Sequence, residues 1–244
     1  MALTAKPYLR EVSIRDDADI DPDRYPFSIP AVREMGTLKL HPDVTFLVGE
    51  NGAGKSTMLE AIAVAMGLPA EGGSRNVNRA QQAVSPLHDV LKLVKGYARP
   101  RWSYFLRAES AFDVITYMDS LPGPKSKPSL HTCSHGEAFM ELLLDLGDDG
   151  FYLLDEPEAA LSPNRQLAAL SAIDQLVKRG SQFIIATHSP ILLAYPNAKI
   201  LVFDQTGLSE VAYEDTEHYA ITRDFLNHHE RRLQQLLGDG QDNE

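Results

Sequence analysis

Short apolar stretches alternate along this chain with segments whose apolar residues recur at helical spacing. Four stretches of mostly apolar residues predict strands that are buried on both faces. These stretches are residues 44–48, 151–154, 183–187 and 199–203. The helical segments are residues 57–66, 135–145, 163–179 and 222–237. Strands that alternate with helices in this way predict an α/β fold, in which a mostly parallel sheet is flanked by helices.

The rest of the chain has a less regular pattern. Residues 8–14 and 37–40 predict short strands ahead of the parallel sheet, joined by an acidic, proline-containing loop at 16–26. An N-terminal antiparallel β part is therefore expected. A small, mainly helical insert is expected within residues 67–146. Its predicted parts are a polar loop at 67–85, a helix at 87–94, a strand at 101–106, a helix at 111–120 and a flexible linker at 121–128.

Residues 49–56 read GENGAGKS, which matches the pattern G-x-x-x-x-G-K-[ST] at every position. The match lies between a predicted strand and a predicted helix, the context in which this pattern binds phosphate groups. Its three glycines let successive backbone N–H groups point at an anion, and the following helix adds its N-terminal dipole. Lys55 would reach the β- and γ-phosphates, and the Ser56 hydroxyl would bind Mg²⁺. The expected nucleotide-binding residues are Gly49, Glu50, Asn51, Gly52, Ala53, Gly54, Lys55, Ser56 and Thr57.

A second motif, FYLLDE, follows the linker region. Its four apolar residues bring Asp155 to the end of a core strand, where a chain with a phosphate loop would use it for Mg²⁺. The next residue, Glu156, would orient and deprotonate the attacking water, a step typically worth about 10²- to 10⁴-fold in rate. The alternative is an acidic turn ahead of the helix that begins at Pro163. The expected metal ligands are therefore Ser56 and Asp155.

A third motif, ATHSP, ends the predicted strand at 183–187 and delivers His188 to the same edge of the sheet as Asp155. An imidazole there would hydrogen-bond both the γ-phosphate and the catalytic base. A lone histidine at a strand end is more often structural, but the order and spacing of the three motifs favour the catalytic interpretation. The expected catalytic residues are Lys55, Glu156 and His188.

Together, the three motifs resemble those of the ATP-binding-cassette (ABC) ATPases, a family of P-loop NTPases. The resemblance implies ATP and Mg²⁺ as cofactors, and a short LSGGQ-like signature ahead of the second motif. The sequence CSHGE at 133–137 occupies that place, so Ser134 and Gly136 are expected to bind the γ-phosphate held by another copy of the chain. The resemblance thus implies a head-to-tail homodimer, with residues 158–162 at its interface.

The signature departs from the family pattern. Cys133 and His135 replace the usual leucine and glycine, and Glu137 in place of glutamine is closer to the DNA-maintenance branch (SMC-like and RecF-like proteins) than to transporters. Two other family elements stay open. The glutamine loop has the candidates Gln81, Gln82 and Glu109, and the adenine-stacking aromatic has the candidates Tyr25 and Phe27.

The resemblance covers most of residues 28–205, and the sequences of its motifs are similar to those of small stand-alone bacterial ATPases of the AAA-family, RecF/SMC-like group. It implies a single ABC-type domain of residues 1–244, with a nucleotide-binding core at about 28–66 and 147–215. The insert would occupy about 67–146 and a C-terminal helix 216–238.

Composition narrows the class of partners. The net charge of −11 opposes general attraction to nucleic acid, although residues 91–107 contain five basic residues, no acidic residue and several aromatics. This basic stretch is either a contact for nucleic acid or a protein, or a solvated helix face followed by a strand whose aromatics pack inside. No apolar run approaches a membrane span, so direct membrane insertion is not expected. The lone cysteine excludes an intrachain disulfide, which fits a cytoplasmic protein.

These features favour an ATP-driven conformational switch in DNA maintenance or defence, acting with a protein partner that the sequence does not identify. The alternative is the nucleotide-binding subunit of an ABC transporter that works with a separate membrane protein. A third interpretation is a binding switch with negligible turnover, which Glu156 argues against. Residues 67–132 contain no heptad run, so the long coiled coil of many DNA-maintenance ATPases is not expected.

Overall fold

The computed structural model describes residues 6–74, 85–109 and 134–238. The predicted helix at 111–120, the linker at 121–128, Gln81, Gln82 and Cys133 lie outside these ranges. The described strands are β1 (Leu9–Ile14), β2 (Thr37–Lys39), β3 (Val44–Gly49), β4 (Gly73–Ser74), β5 (Leu91–Lys95), β6 (Trp102–Arg107), β7 (Gly150–Asp155), β8 (Gln182–Ala186), β9 (Lys199–Asp204) and β10 (Gly207–Val211). The described α-helices are α1 (Pro30–Arg33), α2 (Lys55–Ala65), α3 (Leu87–Val90), α4 (His135–Leu144), α5 (Pro163–Lys178), α6 (Pro190–Leu193) and α7 (Glu217–Leu237).

The described strands form two sheets. The larger has the order β10-β9-β3-β8-β7-β6-β4, and its central strands from β9 to β6 are parallel, with antiparallel strands at both edges. The smaller sheet is antiparallel, in the order β2-β1-β5. These sheets confirm the predicted α/β class with its mostly parallel sheet and N-terminal antiparallel part.

The register of the central strands positions the motifs. Ala186 at the end of β8 pairs with Leu47 of β3 on one side and with Asp155 of β7 on the other. Chain segments that leave parallel strands at one edge of a sheet converge there. The three predicted motifs therefore leave the sheet side by side.

Alternate residues of the central strands face two layers of the core. Leu47 packs in a cluster with Met58 of α2, whereas its neighbour Phe46 packs on the opposite face with Phe139 of α4 and Ile173 of α5. All six residues of β3 are buried for this reason. A strand covered on both faces gains from apolar side chains at every position, which is why a continuous apolar run predicted it.

The prediction of a helix over 87–94 is wrong for its second half. The helix ends at Val90, and residues Leu91–Lys95 form β5, which pairs with β1 along its whole length. The cause is tertiary, because β1 offers unpaired backbone N–H and C=O groups that β5 satisfies. Both β5 and β6 come from the expected insert at 67–146, yet each joins one of the two sheets, so this part of the range belongs to the core. The remaining domain boundaries stay a prediction.

The C-terminal helix begins earlier than its apolar pattern predicted. Thr216 caps α7, and its hydroxyl accepts a hydrogen bond from the Tyr219 N–H. Strand β10, which the sequence pattern missed, pairs with β9 at the edge of the larger sheet. Among the described helices, none combines the length and the apolar character that crossing a bilayer requires.

Candidate nucleotide site

The phosphate loop connects β3 to α2, as predicted. Gly49 ends β3 at a φ of +145°, and a Cβ there would lie 2.3 Å from the Phe203 carbonyl oxygen of β9. Gly54 caps α2 in the left-handed region, at a φ of +99°. Close packing of β3 on β9 therefore demands the first glycine, and the turn into the helix demands the last.

Lys55 is held inside the loop. Its ammonium group donates hydrogen bonds to the carbonyl oxygens of Gly49 at 2.8 Å and Glu50 at 2.9 Å. The residue is only 4% exposed, and burial lowers the pKa of its amine, an effect that the nearby Glu156 and Asp155 oppose. The side chain is thus folded over the loop, as needed to reach a phosphate that the loop binds.

Asp155 and Ser56 meet across the sheet edge. The Ser56 hydroxyl donates a hydrogen bond to Asp155 Oδ1 at 2.9 Å, and Asp155 is 5% exposed. Burial raises the pKa of Asp155 to about 6, against the lowering effects of the Ser56 hydrogen bond and the Arg107 charge. The structure therefore brings the two expected metal ligands together.

The pair suits Mg²⁺, which prefers hard oxygen ligands and keeps several waters. One hydroxyl and one carboxylate oxygen lie within 2.9 Å of each other at the N-terminus of α2. In the described part of the chain, no group of three or more His, Cys, Asp or Glu side chains could hold a metal ion. A Mg²⁺ ion here would take Ser56 and Asp155 from the protein and its other ligands from phosphate and water.

Arg107 is a site residue that sequence reasoning missed. It ends β6 directly beside Asp155 in the register, with its Nε 3.4 Å from Asp155 Oδ2. Its guanidinium also lies 3.1 Å from Glu60 Oε2 on α2. The signal in the sequence was its place just past the predicted strand at 101–106. Of the three glutamine-loop candidates, only Glu109 falls in the described ranges, and its charge contributes to the raised pKa of Asp155.

Asp155→Asn is expected to stabilise the nucleotide-free protein near neutral pH. The pKa of Asp155 is raised from 3.8, the value of the unfolded chain, to about 6 in the folded protein, so its ionisation costs folding free energy. The stability that is present below the unfolded pKa is therefore lost as the pH rises through the folded pKa. A shift of about two units corresponds to at most roughly 3 kcal/mol. Asparagine carries no charge and so avoids this cost. Its side-chain oxygen can still accept the hydrogen bond of the Ser56 hydroxyl, and Arg107 still has its ion pair with Glu60.

Thermal unfolding without nucleotide tests this expectation. The melting temperature of Asp155→Asn should exceed that of the wild type by several degrees at about pH 7.5, and by less at about pH 4.5. The exposed Asp19→Asn is the control and should show no such pH-dependent gain. An equal difference at both pH values would contradict the raised pKa.

Glu156 faces the phosphate loop. It lies in the left-handed region at a φ of +49°, unusual for a residue other than glycine. With Lys55, Ser56 and Tyr25 it lines a cavity of about 310 Å³. Its carboxylate Oε1 is 3.8 Å from the His188 Nε2. Backbone strain of this kind persists where the surroundings impose it, and it clusters at functional sites.

His188 belongs to a small network that joins three segments. Glu158, just past β7, accepts hydrogen bonds from the Thr187 hydroxyl at 2.7 Å and from the His188 backbone N–H. The His188 Nδ1 lies 3.0 Å from the Nε2 of His218 on α7. Burial lowers the pKa of His188, and the Lys55 charge lowers it further. Glu158 was expected at a partner interface, but its carboxylate is used within the chain.

The adenine-stacking alternatives differ in exposure. Tyr25 is 58% exposed, and its hydroxyl lies 2.9 Å from the Thr57 hydroxyl at the start of α2. Phe27 is buried in the core at 7% exposure. Tyr25 is therefore free to present its ring to a base beside the phosphate loop, and Phe27 is not.

The predicted signature lies at the N-terminus of α4. Ser134 caps this helix, since its hydroxyl accepts the Glu137 N–H and the Glu137 carboxylate accepts the Ser134 N–H. Arg165 of α5 donates to the Ser134 hydroxyl at 3.2 Å and to Glu137 Oε1 at 3.0 Å. A Cβ at Gly136 would lie 2.6 Å from the Ala160 carbonyl oxygen. The exposed Ser134 is thus rigidly presented at a helix N-terminus, with a guanidinium beside it.

The basic stretch is not the solvated helix face that one interpretation expected. Four of its five cations lie on β5 and on the turn that leads to β6, and the fifth, Arg107, ends β6. Two of its aromatics, Tyr97 and Trp102, are 70% and 54% exposed. Phe105 is buried, as the packing interpretation expected. A nucleic-acid or protein contact at this surface stays a prediction. The exposed cations are Lys92, Lys95, Arg99 and Arg101.

Two family models match separate parts of the chain. One, described as an AAA domain, matches residues 28–104. The other, described as an AAA domain, putative AbiEii toxin, Type IV TA system, matches residues 138–194. The first covers the phosphate loop, and the second covers Asp155, Glu156 and His188.

Similar proteins are known by sequence and by structure. The energy-coupling factor transporter ATP-binding protein EcfA2 of Methanospirillum hungatei JF-1 is 24% identical in an alignment 222 residues long that covers 79% of this chain and 55% of that protein. The chain thus spans about half the length of this relative. The structure of cbiO1 from Clostridium perfringens, part of the ABC transporter complex cbiONQ, has a TM-score of 0.50 and 14% identity, covering 94% of this chain and 99% of that one.

The SMC head domain from Thermotoga maritima has a TM-score of 0.43 and 14% identity, covering 84% of this chain and 99% of that one.

Three observations agree on the fold. GENGAGKS lies between a strand and a helix, and the parallel sheet sets the other two motifs beside it. Two AAA-domain models match the parts of the chain that carry these motifs. The chain therefore has the fold of the ABC-type P-loop ATPases.

Proposed function

We propose that this protein binds and hydrolyses Mg-ATP at a head-to-tail interface between two copies of the chain, and that closure and opening of this dimer are its output. The observation that carries the proposal is the placement of Glu156. Its carboxylate lines one cavity with Lys55 and Ser56, and it lies 3.8 Å from the imidazole of His188. A base, a phosphate-binding loop and a polarising histidine in one place support hydrolysis rather than binding alone.

The phosphate loop binds the triphosphate. Backbone N–H groups from Glu50 to Gly54 and the N-terminus of α2 supply donors, and Lys55 exchanges two carbonyl partners for phosphate oxygens. Ser56 and Asp155 would hold Mg²⁺, which would supply positive charge against the phosphate oxygens. Tyr25 lines the same cavity and would stack on the base.

Hydrolysis depends on the residues that follow β7 and β8. Glu156 accepts a proton from a water placed between its carboxylate and the γ-phosphate, which makes that water a better nucleophile. His188, whose Nε2 lies 3.8 Å from the Glu156 carboxylate, would fix the water and donate a hydrogen bond to the phosphate. Glu158 accepts hydrogen bonds from the Thr187 hydroxyl and the His188 backbone N–H, which ties the backbone of the histidine to the loop after β7.

The second copy would complete the site from outside. Ser134 is exposed at the N-terminus of α4, and its hydrogen-bond partners, Glu137 and Arg165, lie on α4 and α5 rather than on the phosphate loop. A helix N-terminus with a neighbouring guanidinium attracts an anion. The family resemblance implies that this anion is the γ-phosphate of an ATP molecule held by another copy of the chain. A two-fold arrangement then places two ATP molecules at one interface.

Phosphate release from Mg-ATP by the purified chain tests the proposed function. Turnover per chain should rise with protein concentration, since the active form is a dimer, and should stop when Mg²⁺ is chelated. Release no faster than that of Glu156→Gln would refute hydrolysis.

Ser134→Arg is expected to abolish nucleotide-dependent dimerisation while leaving monomer binding of ATP intact. The larger side chain fills the place of the partner's γ-phosphate and loses the helix cap, which costs about 1 kcal/mol. Light scattering with ATP measures the dimer, and a fluorescent ATP analogue measures binding. Leu144→Arg, at the exposed far end of α4, is the matched control. If Ser134→Arg still forms a dimer with ATP, the signature is not part of the dimer interface.

A second function is favoured by the relatives' names. EcfA2 is a transporter ATP-binding protein and cbiO1 is part of a transporter complex, so the chain is alternatively the ATP-binding subunit of a transporter with a separate membrane protein. A pull-down with Glu156→Gln in excess ATP separates the two functions. Capture of a polytopic membrane protein supports the transporter function, and capture of nucleic acid supports DNA maintenance through the basic stretch.

A further inference from the structure

We propose that His218 of the C-terminal helix sets the tautomer of His188, and so places the proton of the catalytic histidine on the nitrogen that faces Glu156. The inference rests on the proposed function for the role of His188, but the contact itself does not. It assigns a part in catalysis to α7, which none of the three sequence motifs includes.

The two imidazoles form a direct pair. The Nδ1 of His188 lies 3.0 Å from the Nε2 of His218, and the ring centroids are 5.2 Å apart. The other His188 nitrogen, Nε2, is buried without a hydrogen-bond partner in the described structure, and lies 3.8 Å from Glu156 Oε1. One nitrogen of His188 therefore meets α7, and the other meets the catalytic carboxylate.

Both rings are held in the neutral form. Burial lowers the pKa of His188 and of His218, and the charge of Lys55 lowers both further. The opposing charges are Glu156 on the His188 side and, on the His218 side, Glu217 and Glu158. A neutral imidazole carries one proton, so one ring of the pair donates and the other accepts.

Only one of the two arrangements satisfies the surroundings. If the Nδ1–H of His188 were the donor, its bare and buried Nε2 would face the Glu156 carboxylate, and two acceptors would oppose each other. If the Nε2–H of His218 is the donor, the His188 proton lies on Nε2 and points towards Glu156. The second tautomer also gives His188 the donor that a γ-phosphate requires.

The start of α7 is fixed firmly enough to impose this choice. Thr216, the N-cap of α7, is 1% exposed, and its hydroxyl donates to the Tyr213 carbonyl oxygen at 2.7 Å. The Tyr213 hydroxyl in turn donates to the carbonyl oxygen of Pro190, two residues after His188. His218 is thus a positioning residue, tied to the same loop whose histidine it orients.

Nitrogen-15 spectra of the full chain, without nucleotide and with labelled histidine, read the tautomer directly. The His188 ring should be protonated on Nε2 and bare on Nδ1, with its signals assigned from a His188→Gln sample. In His218→Phe the ring should become a mixture of tautomers, whereas His229→Phe, an exposed change on the same helix, should leave it unaltered. A wild-type ring protonated on Nδ1, or a His218→Phe spectrum like the wild type, would overturn the proposal.

Kinetics supply the second readout. His218→Phe should lower kcat by about 10- to 100-fold with little change in ATP affinity, a loss of the size found for residues that orient metal-bound histidines. His218→Gln, whose side-chain amide N–H can replace the donor, should recover part of the loss. A change in ATP affinity alone, or equal kcat losses in the two variants, would contradict the assignment. If the wild type shows the expected tautomer but hydrolyses no ATP, the proposed function fails while the His218 contact stands.

Discussion

Replacing Glu156 with glutamine is expected to slow ATP hydrolysis by about 10²- to 10⁴-fold, the usual contribution of a general base. Glutamine has the same shape but accepts no proton from water, so the cavity shared with Lys55 and Ser56 keeps its form. ATP binding should therefore persist, and the closed dimer should accumulate. Phosphate release measures the rate, and light scattering in excess Mg-ATP measures the dimer.

Two outcomes would contradict this role. Hydrolysis at the wild-type rate would show that Glu156 is not the base. Loss of ATP binding would show that Glu156 contributes to nucleotide binding by the phosphate loop rather than to hydrolysis. Glu230→Gln, an exposed change on α7, is the control and should alter neither property.

Lys55→Ala is expected to weaken ATP binding by roughly 10- to 100-fold or more, because a hydrogen bond between charged groups contributes about 1.5–3 kcal/mol. The ammonium group would otherwise leave the carbonyl oxygens of Gly49 and Glu50 for the phosphates. Titration with a fluorescent ATP analogue measures the affinity.

The exposed Lys39→Ala on β2 is the matched control for the loss of one positive charge. Removal of Lys55 also leaves two loop carbonyls without a donor, so a thermal melt should accompany the titration. If Lys55→Ala folds as the wild type does and binds ATP with unchanged affinity, the loop does not hold the phosphates in the way proposed.

The sequence predicted the parts of the fold that depend on local pattern. Strand β3 is buried on both faces and therefore apolar throughout, and Gly54 has to be glycine because it adopts a positive φ. Such requirements are visible in the residues themselves. Because the parallel strands carry their motifs to one edge of the sheet, the meeting of Ser56 with Asp155 was also predictable.

The missed features depend on contacts between distant segments. Strand β5 exists because β1 has an open edge, and one alternating pair, Leu91 and Leu93, is too short a pattern to predict a strand. Arg107 and His218 reach the site from β6 and α7, and no motif marks them. Their roles became visible only when the register of the sheet and the start of α7 were known.

Complementation between two inactive variants tests the central claim most directly. Ser134→Arg keeps an intact phosphate loop, and Lys55→Ala keeps an intact signature, so each should be inactive alone. When they are mixed, a head-to-tail heterodimer contains one site with both halves intact, and ATP hydrolysis should reappear with the concentration dependence of dimer formation. If the mixture stays inactive while the two variants demonstrably form heterodimers, or if either variant alone hydrolyses ATP at the wild-type rate, then the site is not shared between two copies.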